Sequence, residues 1–345
     1  MNKKLVTIEQ LEEGMTLAEK VENNHGAVLI SAGTILSHQL INKLEKLRIS
    51  HISIYTGDEQ PDFDIDKQMD KIKYNDQRKK IKNIFNCIQK KNKIDHELIK
   101  DMVVKSMKLD NNLDIIKLLT HIHEKDEYTY NHSVNVGLMS MLFGRWLNLE
   151  NSEVKKLTYA GFLHDVGKAK VPDEILNKKG SLTNEEFEIM QKHSISGYKL
   201  IKDCMYISDR VARAVLLHHE RKDGSGYPLG IKGSRVPFFA RVISIVDTFD
   251  AMTSDRVYSQ HQVPFEVLKK LNRDSLQIFD IVLLNTFTKN IINYYKGEKV
   301  KLSDGTIGEL VYIKHDIPTE PIIKVEDHYI DLRKSDLYIE DIYTG

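Results

Sequence analysis

The feature that most constrains this chain is a series of histidines and aspartates separated by about the length of one helix plus one connection. The series consists of His132, His164, Asp165, His193, His218, His219 and Asp247. Its members align with apolar residues at helical spacing; His132, for example, shares a helix face with Val136 and Met139. The sequence therefore predicts a helical bundle in which successive helices deliver polar side chains to one centre.

Buried imidazoles and carboxylates are costly unless they are paired or bind a metal. For a single histidine, a hydrogen-bonded core residue is the usual explanation, and a structural polar network is the alternative for the whole series. The complete series favours a metal centre, and mixed imidazole and carboxylate ligands suit Mn, Fe or Zn better than Ca. Because Asp165 adjoins His164, its carboxylate could bridge two ions, an arrangement that serves phosphoryl transfer.

Two further segments indicate a phosphorylated ligand. Lys168 lies three residues beyond Asp165, where a helix is expected to end, and its ammonium could reach a phosphate oxygen. A solvated surface lysine is the alternative. The second segment runs from His218 through a Gly-rich loop to Tyr227, whose ring could contact a base, although such loops are usually turns between helices.

Hydropathy patterns divide the chain into four parts and predict a mainly α fold. The parts are a small α/β module at residues 1–56, a charged linker with connecting helices at 57–119, a helical catalytic domain at 120–290 and a small β-rich module at 291–345. In the first part we expect a helix over residues 37–47 and a strand over 51–55. Thr183 and Glu186 form a capping box that predicts a helix start.

Charge and cysteine content limit the partners and the location. Fifty basic and fifty acidic side chains cancel, which argues against a DNA or RNA duplex as partner. The two cysteines lie outside any CxxC pattern, which fits a reduced compartment. The sequence contains neither a signal-peptide pattern nor a membrane-spanning apolar run, so we expect a cytoplasmic protein without a membrane partner.

Longer motifs around these residues resemble the HD-GYP family, a subgroup of the HD phosphohydrolases. The motifs are His164-Asp165 with Lys168, His218-His219-Glu220, Asp223-Gly224-Ser225-Gly226-Tyr227-Pro228, and Asp247-Thr248-Phe249-Asp250-Ala251-Met252. They follow one another in the order of the family, and the resemblance covers about residues 120–290. It implies that the helical domain is an HD-type bundle.

The resemblance also implies a phosphodiesterase that opens cyclic di-GMP, a bacterial second messenger, to linear pGpG and often continues to GMP. Such enzymes use two or three iron or manganese ions, and by position the ligands are the seven residues of the series. Our mechanistic hypothesis takes Asp165 and Lys168 as the catalytic residues. Lys168 would also contact a phosphate, Tyr227 and Arg256 the nucleotide, and Asp126 is a further candidate for substrate binding.

Two departures from the family pattern affect these expectations. Tyr128 stands one helical turn before His132, where members with a third metal are expected to carry glutamate, so we predict two divalent ions, iron or manganese. Ser259 replaces a basic residue that often helps to hold the nucleotide. Two other functions therefore remain: a sensor that binds a cyclic dinucleotide without cleaving it, and a phosphodiesterase for a different cyclic dinucleotide. A homodimer or a signalling protein as partner is left open.

Overall fold

The computed structural model of the protein describes residues 2–12, 15, 17–18, 21–22, 28–30, 36, 41, 44, 51–56, 65–109, 128–254, 262–274, 277–314 and 317–343. The chain forms two compact units, Met1–Lys73 and Tyr74–Gly345. The predicted mainly α fold is confirmed, with a small sheet at the C-terminal end.

The first unit contains two antiparallel strand pairs, β1 with β4 and β2 with β3. The strands are β1 (Asn2–Thr7), β2 (Val21–Glu22), β3 (Val28–Ile30) and β4 (His51–Thr56). The apolar cluster of this unit consists of Val6, Leu11, Leu17, Val21, Leu36, Ile41, Leu44, Ile52 and Ile54. The predicted strand at residues 51–55 is confirmed, whereas most of the helix expected at 37–47 lies outside the described residues.

The second unit consists mainly of helices. In chain order they are α1 (Ile65–Lys91, of which Tyr74 onward belongs to this unit), α2 (His96–Met107), α3 (Tyr128–Trp146), α4 (Asn151–Leu163), α5 (Asp173–Leu176), α6 (Asn184–Ile201), α7 (Asp209–Leu217), α8 (Phe238–Thr253), α9 (Pro264–Asp274) and α10 (Ile281–Asn293). The predicted capping box at the start of α6 is present. Among the described helices, none is long and apolar enough to cross a bilayer.

Helix α1 contributes an apolar face to the core of the second unit. Ile81, Ile84 and Ile88 recur at helical spacing and are fully buried, while Lys82 and its exposed neighbours cover the other face. Tyr74 is buried on the apolar side as well. The segment predicted as a charged connection is therefore also part of a hydrophobic core.

Helices α3 and α4 approach each other closely because small residues meet where they pack. A Cβ added to Gly161 would lie 2.8 Å from Ser140 Oγ and 2.9 Å from Gly137 Cα, which is closer than real Cβ contacts. Only glycine therefore fits at this position. The close approach brings the C-terminal end of α4 next to the first turns of α3.

A five-stranded antiparallel sheet follows the helices, with the strand order β8-β7-β6-β5-β9. The strands are β5 (Lys299–Leu302), β6 (Ile307–Tyr312), β7 (Ile322–Val325), β8 (His328–Asp331) and β9 (Ile339–Ile342). Alternate residues such as Val300 and Leu302 are buried and join the same apolar cluster as the helices. The sheet and the helices thus form one compact unit, and the domain boundaries proposed within it stay predictions.

Candidate metal centre

The seven histidines and aspartates of the series meet in the interior of the helical bundle. Helices α3, α6 and α8 carry His132, His193 and Asp247 within their length. The C-terminal caps of α4 and α7 are His164 and His218, and the next residues are Asp165 and His219. The structure therefore brings together all seven residues, and their role as ligands stays a prediction.

The potential ligand atoms form two groups, and within each group they lie within 4.8 Å of one another. The first, called here the His132 group, consists of His132, His164 and Asp247. The second, called here the His193 group, consists of Asp165, His193, His218 and His219. Each group contains at least three potential ligand atoms, enough to hold one metal ion.

Hydrogen bonds fix the orientation of the imidazole rings. Three rings donate from Nδ1 to the carbonyl three residues earlier at 2.7–2.8 Å: His164 to Gly161, His193 to Met190, and His218 to Val215. A neutral imidazole that donates through Nδ1 presents a lone pair at Nε2. The Nε2 atoms of His193 and His218 nevertheless lie only 3.4 Å apart. Two lone pairs this close require a cation or a proton nearby.

The carboxylate of Asp165 belongs to the His193 group and also faces the His132 group. Its Oδ2 is 3.2 Å from Nε2 of His164, and its Oδ1 is 3.3 Å from Nε2 of His193. Oδ1 is buried and has no hydrogen-bond partner among the described residues. A buried carboxylate oxygen without a donor, next to imidazole lone pairs, fits a metal ligand, so the residues present are suited to divalent ions.

Asp247 also faces both groups. Its Oδ1 lies 3.0 Å from Nε2 of His132, and its Oδ2 lies 3.7 Å from Nδ1 of His219. Burial would raise the pKa of Asp247, but the hydrogen bond with His132 outweighs burial and holds the pKa well below its ordinary value. The carboxylate is therefore ionised near neutral pH.

Asp165 is ionised for a similar reason. Burial would raise the pKa of this carboxyl, but the charge of Lys168 outweighs burial and holds the pKa well below its ordinary value. Nζ of Lys168 donates to Asp165 Oδ2 at 2.5 Å. The Lys168 side chain is 20% exposed and thus lies at the edge of the buried centre.

The imidazoles differ in their affinity for protons. Burial lowers the pKa of His193 to about 4 and that of His219 to about 3, so both rings are neutral near pH 7. Burial would also lower the pKa of His132, but hydrogen bonds with Asp247 and Asp250 outweigh it and raise the pKa to about 9. His132 therefore carries a proton near pH 7, and this proton supplies the positive charge that a metal ion would supply in the His132 group.

Tyr227 lies on the loop after α7, and its ring centroid is 4.6 Å from that of His219. Burial raises the pKa of its hydroxyl, which is therefore a neutral donor. The loop folds back onto His219: a Cβ on Gly226 would lie 2.3 Å from the His219 carbonyl oxygen. Tyr227 is thereby placed beside the ligand groups.

The buried carboxylate of Glu220 holds this loop in place. It accepts backbone N–H groups at 2.6–3.1 Å from Leu229, Gly230 and Ile231. Sequence reasoning included Glu220 in a motif without giving it a role. Its contacts indicate that it fixes the loop carrying Tyr227.

Two predicted contact residues, Asp126 and Arg256, lie outside the described residues, as does Ser259. Tyr128 is described, and its ring stacks on that of His132 with centroids 5.6 Å apart. An aromatic ring therefore stands where a glutamate would have indicated a third metal site.

Sequence reasoning missed the residues that hold His132. Oδ2 of Asp250 lies 2.7 Å from Nδ1 of His132, and Nδ2 of Asn135 donates to Asp250 Oδ1 at 2.8 Å. The position of Asp250, three residues after Asp247 on the same helix face, was a usable signal. The hydroxyl of Tyr74, which donates to Asn135 Oδ1 at 2.7 Å, had no such signal.

Comparisons with known proteins agree with this architecture. The HD domain family matches residues 118–283. The chain is 37% identical over 190 residues to a cyclic di-GMP phosphodiesterase of Pseudomonas aeruginosa, a match that covers 55% of this chain and 46% of that protein. It is 32% identical over 182 residues to the 3'3'-cGAMP-specific phosphodiesterase 1 of Vibrio cholerae, covering 50% of this chain and 42% of that protein.

The chain thus spans about half the length of the curated relatives it matches. Among solved structures, an HDG"Y"P protein from Bdellovibrio bacteriovorus matches 83% of this chain and 98% of its own, with a TM-score of 0.54. The sequence identity to that protein is 16%, so the likeness concerns the fold alone. Residues 118–283 thus form an HD domain, and the motifs within it resemble those of the HD-GYP subgroup.

Proposed function

We propose that this chain is a metal-dependent phosphodiesterase that hydrolyses cyclic di-GMP to linear pGpG and then to GMP. The observation that carries the proposal is the pair of ligand groups with Asp165 between them, one oxygen toward each group. The name of the Pseudomonas relative, a cyclic di-GMP phosphodiesterase, supports the choice of substrate.

The proposal includes two divalent ions, iron or manganese, one in each ligand group. The residues that would hold them are His132, His164 and Asp247 for one ion and His193, His218 and His219 for the other, with Asp165 shared. Imidazole together with carboxylate suits these metals. When bound, such a pair supplies Lewis-acid stabilisation of phosphoryl oxygens and makes water more acidic.

Lys168 is proposed to contact a phosphate of the substrate. Its ammonium has three N–H donors, so it can keep its hydrogen bond to Asp165 and still donate to a nonbridging oxygen. A fixed positive charge there stabilises the negative charge that grows on those oxygens during hydrolysis. Lys168 would therefore act on the rate of the reaction.

Tyr227 is proposed to contact the nucleotide, since its neutral hydroxyl and ring lie beside His219 at the centre. The resemblance to the family supports the same role for Arg256 and Asp126. These contacts would orient the dinucleotide so that its phosphodiester reaches Asp165 and Lys168.

A related cyclic dinucleotide is the second candidate substrate. The Vibrio cholerae relative is named as specific for 3'3'-cGAMP, and the ligand groups here are imidazoles and carboxylates that do not distinguish bases. The same centre would serve either substrate, and the residues around Tyr227 would decide between them.

The proposed site of action is the cytoplasm. Both Cys87 and Cys204 are free thiols, which fits a reducing compartment. A cytoplasmic enzyme would meet a soluble second messenger directly.

The test is a competition assay with the full chain purified anaerobically and loaded with Mn²⁺ or Fe²⁺. Equimolar cyclic di-GMP and 3'3'-cGAMP are added, and the nucleotides are separated by chromatography over time. The proposal predicts that cyclic di-GMP is consumed first and that pGpG appears before GMP. Faster loss of 3'3'-cGAMP would favour the second candidate, and metal-loaded protein that leaves both intact would contradict both.

A further inference from the structure

A continuous chain of hydrogen bonds leads from helix α1 to the predicted metal ligand His132. Tyr74 Oη donates to Asn135 Oδ1 at 2.7 Å, Asn135 Nδ2 donates to Asp250 Oδ1 at 2.8 Å, and Asp250 Oδ2 lies 2.7 Å from His132 Nδ1. All four side chains are buried, with Asn135 the most exposed at 4%. Water therefore does not compete for these bonds.

The chemistry of the four side chains fixes the donor and the acceptor in each of these hydrogen bonds. The two carboxylate oxygens of Asp250 act as acceptors, one for the NH₂ of Asn135 and the other for the N–H of His132. The amide oxygen of Asn135 must then face Tyr74, whose hydroxyl donates. With Nδ1 of His132 occupied as a donor, its Nε2 is directed toward Asp247, 3.0 Å away.

We infer that Tyr74 is a positioning residue for the metal ligand His132, acting through Asn135 and Asp250. The inference rests on the metal centre proposed above. A carboxylate on the second nitrogen of a ligating histidine sets the orientation and basicity of the ring, and its own partners hold that carboxylate in place. Tyr74 also donates to the carbonyl of Asn131 at 3.3 Å, next to His132 in sequence.

The residues that support the metal centre then include one outside the region that matches the HD domain family. Tyr74 lies on α1, N-terminal to residues 118–283. A fragment limited to the matched region would lack this hydroxyl. Helix α1 would therefore be needed for full metal affinity as well as for the hydrophobic core.

The variant Tyr74→Phe isolates the hydroxyl, because it keeps the buried ring and removes only the donor. A matched control is Tyr295→Phe: Tyr295 is 5% exposed, and within the part of the chain that the structure describes its hydroxyl has no hydrogen-bond partner. Asn135→Ala interrupts the same chain at a second point. Thermal melts of the metal-free proteins show whether each variant folds.

The experiment is a calorimetric titration of the full chain with Mn²⁺. Wild type is expected to bind in two steps, and His132→Ala identifies the step that belongs to the His132 group. Tyr74→Phe and Asn135→Ala should weaken that step by about 3–10-fold, less than the roughly 10–100-fold typical of a direct partner of a ligand. The other step, and both steps in Tyr295→Phe, should be unchanged.

A double variant separates positioning from a general structural effect. In the His132→Ala background, Tyr74→Phe should leave the remaining step unchanged, since the residue that it positions is gone. Equal weakening of both steps, or wild-type affinity in Tyr74→Phe, would overturn the inference while leaving the metal centre intact. A wild-type protein that binds no Mn²⁺ would overturn the metal centre and the inference together.

Discussion

The two ligand groups are expected to respond differently to pH when they bind metal. A metal ion needs the neutral imidazole, so every ligand that is protonated in the free protein must first lose its proton. The raised pKa of His132, about 9, means that this ring carries a proton near pH 7. Metal binding to the His132 group should therefore strengthen as the pH rises toward 9.

The expected size follows from the pKa values. Between pH 6.5 and 8.5, the apparent affinity of the His132 group should rise about tenfold per pH unit, or about 100-fold over the range. Above the pKa of His132, this gain ends. In the His193 group, burial lowers the pKa of His193 to about 4 and that of His219 to about 3. Those rings are already neutral, so the metal affinity of the His193 group should change little over the same pH range.

The assay is calorimetric titration with Mn²⁺ at pH 7.5 in two buffers that differ in ionisation enthalpy, which counts the protons released. Metal binding to the His132 group should release about one proton, and metal binding to the His193 group should release none. Asp250→Asn removes one of the two carboxylates that raise the pKa of His132, so it should reduce the release. Equal proton release in both steps, or none in either, would refute this reasoning.

Three further substitutions test the structure around the centre. Gly161→Ala should lower the free energy of unfolding, measured in urea, by about 1–3 kcal/mol, because the new Cβ would press on the α3 backbone. Gly144→Ala is the control and should cost less, because its Cβ would meet its nearest neighbours at 3.3 Å. Equal losses in the two variants would speak against the close approach of α3 and α4. Glu220→Gln weakens the hydrogen bonds that fix the loop carrying Tyr227 and should raise the KM for cyclic di-GMP by roughly tenfold, with metal content unchanged. An unaltered KM would contradict the role of Glu220 in fixing this loop. Lys168→Met removes the ammonium and should lower kcat by about 100-fold with both ions retained; wild-type kcat would exclude Lys168 from the reaction.

The position of the ligand series was predictable because helical periodicity shows which face of a helix is buried. His132 and His193 lie on such faces, and one helix plus one connection separates successive members. The capping box at Thr183 and Glu186 was predictable for a similar reason, since both of its partners lie within one helical turn.

The residues that support the centre were harder to predict because their partners are distant in sequence. Asp250 lies 118 residues from His132, and Tyr74 lies 61 residues from Asn135. Periodicity indicates a buried face but does not identify what packs against it. The many lysines of α1 indicated a charged connection, whereas Tyr74 and Ile84 on its narrow apolar face bury it in the core.

The central claim is that the residues around Asp165 would hold a pair of ions at which this chain would hydrolyse a phosphodiester. It is tested most directly by measuring cyclic di-GMP turnover and bound metal on the same samples as Mn²⁺ is titrated into metal-free protein. Turnover should appear as the second ion binds and level off near two ions per chain. Asp165→Asn should abolish turnover. Full activity in metal-free protein, or in Asp165→Asn, would contradict the account.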